Sequence, residues 1–273
     1  MIGEYTIFYP EQINPNELGH ELTNNKESHP KVVRFLNMSQ EEKIARYANS
    51  HPNTNIQTLT KILSSEVEHL RWSGSDLLNV FDTSGKKHKY LLETNSCPSG
   101  ALDLPTRTQE HTGKTPYEMI LEGTLIPQIK EEGDLAVIWD KNRRGTRAYA
   151  KTLASLTGRP VHHIPLLDSS EFRFPKSEYL TFNDRKLAGV FRYVTQLPWE
   201  RLAIDTATPM VNPIIGCIAG GRNKLIAAKA YQEFNDAFEG VKINVPYTTS
   251  ELTREETLET LKEWGNIAVI KDP

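Results

Sequence analysis

The chain has 273 residues with a formal charge of −3, a quarter of its residues charged and only two cysteines, Cys97 and Cys217. Near-balanced charge argues against nucleic-acid binding by bulk electrostatics, and no apolar run approaches membrane-spanning length. Two cysteines are too few for a disulfide framework or a tetrahedral zinc site, and "MIGEYTIFYPEQINP" has no basic n-region or long apolar core. A soluble protein of the reducing cytoplasm is the expectation, with no nucleic acid and no membrane as partner.

In chain order, residues 1–60 are polar and give little pattern apart from "SQEEKIARYANSH". That stretch reads as a helix with Ser39 as N-cap and Glu41 and Glu42 in its first turn. "IQTLTKILSSEVEHL" repeats apolar residues at helical spacing from Ile56 to Leu70. "DLLNVF" and "KYLLETN" then read as two strands joined by "DTSGKKH", with Gly85 at the turn. "KTPYEMILEGTLIPQIKEEG" reads as a helix. "DLAVIWD" is a short apolar strand, "TRAYAKTLASLTG" a helix closed by glycine, and "RPVHHIPL" the next strand. "EYLTFND" and "RKLAGVFRYV" read as two more. The strand–helix–strand rhythm from residue 134 to about residue 200 predicts an α/β unit with mainly parallel strands. "GGRNKLIAAKAYQEFNDAF" and "REETLETLKEWGN" are helices, and the terminal "IAVIKDP" reads as a buried strand. The class is α/β with α+β elements.

Chemistry concentrates where "KYLLETNSCPSG" leaves its strand. Residues two apart on a strand share a face, so Glu93 and Asn95 point the same way. A turn centred between Gly85 and Lys86 puts Asp76 opposite Asn95 and Leu78 opposite Glu93. Asp76, Glu93 and Asn95 then gather at one end of one face, where hard oxygen ligands suit Mg²⁺. The alternative is a solvent-facing hairpin carrying scattered polar residues. In "RPVHHIPL", His162 and His163 should face opposite sides, one toward a core and one outward. "DKNRRGTR" is either an anion site at the start of the next helix or a solvated basic loop. Cys97 has no partner base visible in the sequence.

The stretch "SDLLNVFDTSGKKHKYLLETNSCPSG" resembles the metal-binding hairpin of ATP-grasp ligases, in which an Asp-bearing strand, a turn and a strand ending E-x-N precede a Pro/Gly-containing loop. The resemblance implies that Asp76, Glu93 and Asn95 bind magnesium bridging the phosphates of ATP. The terminal "NIAVIKDP" resembles the strand whose lysine contacts ATP phosphate, which puts Lys271 in that role, with Asp272 intervening before Pro273. "GGRNKLIAAKAY" resembles the helix start carrying another nucleotide-contacting lysine, here Lys224. The hairpin precedes the lysine strand, an order similar to the circularly permuted members, eukaryotic-type glutathione synthetase and glutathionylspermidine synthetase. "RKLAGVFRYVTQLPW" is similar to their strand leading to a substrate-contacting arginine, here Arg192.

The implied fold is a partial ATP-grasp fold with an inserted parallel α/β substrate-type domain. Its divisions are residues 1–125 with the hairpin, 126–212 as the inserted domain, and 213–273 as the start of the second ATP-grasp part. The implied activity is an ATP- and Mg-dependent carboxylate–amine or carboxylate–thiol ligase acting through an acylphosphate on small-molecule substrates. Ser96, Ser99 and Arg192 are the implied substrate contacts. Gly74 stands where these ligases often carry arginine, and Arg71 is the nearby candidate for the catalytic charge. The alternatives are a non-catalytic ATP-grasp-like module that binds nucleotide or a partner, and an unrelated α/β protein. The resembled ligases continue into a glycine-rich loop beyond the lysine strand, so the 273 residues are expected to bind Mg-ATP weakly and to complete no turnover alone.

Overall fold

The computed structural model of the chain describes residues 5–14, 30–67, 71–98, 113–166, 172–173, 178–194, 205–217, 224–238, 240–249, 252–265 and 268. Lys271, Ser99 and the terminal "IAVIKDP" strand, apart from Ala268, lie outside these residues. The fold is mixed α/β. Among the described residues it comprises a seven-stranded sheet and a separate two-stranded hairpin.

The sheet is built on β4 (Asp134–Trp139), which lies between β5 (Val161–Pro165) and β8 (Arg185–Tyr193), parallel to both. β1 (Thr6–Phe8) pairs antiparallel with β5 at one edge. On the other side β8 pairs first with β7 (Thr181–Phe182), antiparallel and followed by β6 (Phe172–Arg173), and then with β9 (Met210–Val211), in parallel. Parallel strands thus dominate the centre and antiparallel pairs the flanks. "EYLTFND" is strand only at its middle two residues.

The apolar run of β4 has no alternation because both faces of the sheet are covered. Leu135, Val137 and Trp139 face one core with Tyr117, Leu121, Tyr149 and Leu153. Ala136 and Ile138 face a second with Ile164, Phe182, Leu187 and Val190. The first core is roofed by α4 (Pro116–Thr124) and α5 (Arg143–Thr157). A Thr115–Glu118 capping box starts α4, and Gly158 in the left-handed region ends α5.

Double coverage corrects the expectation for the histidine pair. His162 and His163 do face opposite sides, but both are buried. His162 bonds Asp134 Oδ2 at 2.7 Å; His163 Nε2 lies 2.9 Å from the Thr146 hydroxyl and its ring stacks on Trp139. Burial, then the charges of Arg147 and Arg143, push the His163 pKa down to about 3, so this imidazole is neutral.

Upstream, α1 (Pro30–Leu36) precedes α2 (Gln40–Ser50), which starts at a Ser39–Glu42 capping box as its sequence suggests. α3 (Ile56–Ser64) stops short of the reach of its apolar pattern: residues 65–67 are not helical, and Ser65 closes the end by bonding the Lys61 and Ile62 carbonyls. α6 (Ile214–Cys217), α7 (Lys224–Ala237) and α8 (Arg254–Glu263) complete the described elements.

The hairpin, β2 (Gly74–Phe81) with β3 (Lys87–Asn95), is anchored to the sheet at its open end. Asn212, fully buried just after β9, accepts from the Trp72 amide at 3.3 Å and donates to the carbonyls of Trp72 and Ser96. The Trp72 ring packs beside Tyr149, Phe191 and Tyr193. Asn212 has φ 52°, a conformation that asparagine tolerates better than most residues. Asn212→Gly keeps that backbone but orphans three buried groups, and should cost about 2–4 kcal/mol. Asn212→Ala adds left-handed strain and should cost more. Urea unfolding of the two variants measures both effects.

Candidate functional site

Backbone pairing sets the geometry of the hairpin. Phe81 pairs with Lys87 and Leu78 with Tyr90, so the turn is centred near Ser84 rather than between Gly85 and Lys86. The five-residue loop closes on Asp82, whose carboxylate accepts from the amides of Ser84 and Lys86 and meets His88 Nε2 at 2.8 Å. Those bonds hold the Asp82 carboxyl far below the usual aspartate value, the Ser84 hydroxyl foremost. Carried straight on, this register would put Asp76 across from Leu92, on the wrong face.

A β-bulge prevents that. The register shifts between Asp76 and Leu77, so that Leu77 pairs with Leu91 and Asp76 with Glu93, leaving Leu92 as the extra residue. Gly74, not Asp76, pairs with Asn95, and Leu78 does not pair with Glu93. The expected partners are thus corrected, yet the three side chains still meet. Asn95 Nδ2 lies 3.2 Å from Glu93 Oε1 and 3.4 Å from Asp76 Oδ2.

A fourth side chain arrives from far along the chain. Lys224, the first residue of α7, places Nζ 2.5 Å from Glu93 Oε2. That hydrogen bond is the main reason the Glu93 carboxyl titrates below its ordinary 4.5, against the opposing effect of burial. Tyr231, two turns further along α7, donates its hydroxyl to Thr94 Oγ1 at 2.8 Å on the other face of β3. The Leu91 amide bonds the Asn244 carbonyl, which sets the segment after α7 along the outer edge of β3. Asn244 and Tyr231 carry no motif, and the sequence marked α7 only as a helix beginning near Lys224.

The donor set fits magnesium. Among the described residues no group of three or more His, Cys, Asp or Glu could hold a metal ion. A metal here would rest on two carboxylates and the Asn95 amide, whose oxygen a half-turn of the side chain presents. That matches Mg²⁺, which takes one or two carboxylates and completes its shell with phosphate oxygens and water.

The remaining candidates are placed as follows. Gly74 has a packing reason: a Cβ there would lie 2.6 Å from Pro98 Cβ, so no arginine fits without displacing the turn. Arg71 is exposed beside Trp72. Ser96 is buried, with its carbonyl held by Asn212, and Cys97 directs Sγ to the Arg192 carbonyl at 3.5 Å. The turn after the hairpin is thereby joined to β8. Arg192 is itself buried, with Nη1 3.4 Å from the Val194 carbonyl.

Near Arg192 lie the carboxyl ends of β4 and β8, beside the "DKNRRGTR" segment that leads into α5. β4 connects through α5 to β5 on one side while β8 lies on the other, the arrangement in which open α/β sheets bind ligands beyond their strands' carboxyl ends. Asn142, at φ 55° before α5, does not cap the helix; its Nδ2 reaches the Tyr193 hydroxyl at 3.0 Å and joins the start of α5 to the end of β8. No protein-family model matches the chain, and no curated protein matches it.

Two tests follow from this geometry. Gly74→Ala should destabilise by about 1–3 kcal/mol through overpacking against Pro98, measured by urea unfolding. Glu93→Gln should cost up to about 1 kcal/mol at neutral pH, since the ion pair is partly solvated. A carboxyl held low in the folded state contributes its stability above its ordinary pKa, so the cost should vanish as pH falls below 4.5. Denaturation of both proteins from pH 3 to pH 7 measures the difference.

Proposed function

We propose that this chain is an ATP- and Mg-dependent ligase that joins a small-molecule carboxylate to an amine or thiol. The observation that supports the reading best is the meeting of Lys224 with Glu93 across 131 positions of sequence, on the face shared by Asp76 and Asn95. The motif resemblance assigns these residues to one nucleotide site, and they meet around one patch. The finer architecture, a partial ATP-grasp fold with an inserted parallel α/β substrate-type domain, belongs to the same proposal.

Bound magnesium would supply electrostatic neutralisation of phosphate oxygens during phosphoryl transfer to the acid. The protein's part is positional. Asp76, Glu93 and Asn95 would hold the ion; Lys224, already at Glu93, would turn its other ammonium protons to phosphate; Lys271 would join it in that role. Ser96, Ser99 and Arg192 would serve the acid or its acylphosphate, at the side where Cys97 ties the turn to β8. Arg71 would supply the charge that position 74 does not.

A second reading, a non-catalytic module that binds nucleotide or a partner, draws on one observation. Pro98 fills the space above Gly74, so the arginine that stabilises charge in the resembled ligases has no place there.

Water-proton relaxation with Mn²⁺ in place of Mg²⁺ tests the metal assignment and detects weak binding. ATP should produce a relaxation enhancement with the wild-type chain, and Asp76→Asn and Glu93→Gln should each weaken it by roughly tenfold or more. Lys224→Met should weaken ATP binding while sparing Mn²⁺ binding alone. Equal enhancement by the wild type and the double variant Asp76→Asn/Glu93→Gln would refute the site. ADP release over a panel of amino acids, at saturating Mg²⁺ and with the full-length protein, separates the ligase from the binding module.

A further inference from the structure

At the amino-terminal end of β4, three side chains stand in series. The Tyr5 hydroxyl lies 2.6 Å from His162 Nδ1, and His162 Nε2 lies 2.7 Å from Asp134 Oδ2. An ionised carboxylate only accepts hydrogen bonds, so Asp134 fixes the proton of the neutral imidazole on Nε2. Nδ1 then carries the lone pair, and the Tyr5 hydroxyl donates to it. Burial pushes the Asp134 carboxyl up, but hydrogen bonds from His162 and Arg185 and the Arg185 charge bring it below its ordinary value. The imidazole is 2% exposed and has the Phe182 ring edge-on at 5.9 Å, so its direction is set by packing.

Tyr5, by contrast, is 39% exposed as a residue, and its hydroxyl bond to His162 is only partly buried. Arg185 bonds the same Asp134 oxygen through Nη1 at 3.0 Å, with most of its side chain in solvent and the Tyr5 phenol close enough to influence it. A hydroxyl, a base on it, a carboxylate that orients the base and an exposed guanidinium alongside are the parts of a nucleophilic site. Pinning β1 to the sheet would need only the first bond.

We propose that Tyr5 is a base-activated nucleophile at which this chain accepts a phosphoryl group from a phosphoric anhydride. Tyr5 Oη forms the bond to phosphorus as the bond from phosphorus to the leaving oxygen breaks. The phenolic proton passes to His162 Nδ1, and the leaving group departs with its electron pair. The resulting imidazolium is held by Asp134 until the proton is lost to water, and the fork of Arg185 faces the phosphoryl oxygens. The inference is independent of the ligase reading, since none of these residues belongs to the hairpin site.

An alkyl fluorophosphonate, in which fluoride is the leaving group, tests the nucleophile directly. The full chain is treated with it, and the adduct at each of the ten tyrosines is followed over time by peptide mass spectrometry. Exposure alone ranks Tyr247 first, at 79%. Base activation ranks Tyr5 first, by about tenfold or more. Asp134→Asn, which unsettles the imidazole tautomer, should slow Tyr5 by about tenfold and leave Tyr247 unchanged. Circular dichroism checks that the variant is folded. Tyr247 reacting as fast as Tyr5 in the wild-type chain overturns the proposal, and that readout needs no variant.

Discussion

The structure depends on one buried amide. Asn212 satisfies the amide and carbonyl of Trp72 and the carbonyl of Ser96, which flank the two open ends of the hairpin. Almost every residue of β2 is exposed, so the hairpin has little apolar burial of its own to hold it on the sheet. A two-stranded hairpin is marginal in water, and its position must come from its base. Glycine would accept the left-handed backbone at 212 but has no side chain to bond these groups. Asparagine answers both demands, and Trp72 then delivers its ring to the aromatic cluster of Tyr149, Phe191 and Tyr193.

With the base fixed, the bulge at Leu92 sets Asp76 directly against Glu93, although like charges opposite one another on paired strands are unfavourable. Lys224 offsets one of the two charges and Asn95 bridges both carboxylates. Two carboxylates less one ammonium leave one negative charge on that face. A sequence selected for stability alone would place an opposite charge or an apolar pair there. The compensation for the pair comes from a helix more than a hundred residues away.

Local signals made much of this fold legible. The cap at Ser39, the glycine after α5, and the continuous apolar runs of β4 and β5 all follow from interactions within a few residues. The hairpin strands were legible for the same reason, but their register was not. Tyr90, Leu91 and Leu92 are consecutive apolar residues with no alternation, so nothing in the pattern marks Leu92 as the extra residue. The turn is governed by Asp82 rather than by Gly85. Asn212 was invisible because its partners are 116 and 140 positions away. The pairing of His162 and His163 with two different cores could not be read from "PVHHIP", because the sequence does not show how many faces of the sheet are covered.

Two-sided coverage also decides where polar chemistry can sit. A strand buried on both faces tolerates polar side chains only where partners meet them, and those partners lie at the strand ends. At the amino end of β4, Asp134 takes up His162 on one face. On the other face, Thr146 from the first turns of α5 takes up His163. Asn142 and Tyr193 join α5 to β8 at the carboxyl end, where Cys97 also meets the Arg192 carbonyl. The hairpin is thus coupled through Asn212 and Cys97 to β9 and β8, at their carboxyl ends. The Tyr5–His162–Asp134 series meets the sheet at the amino end of β4 and shares none of these bonds.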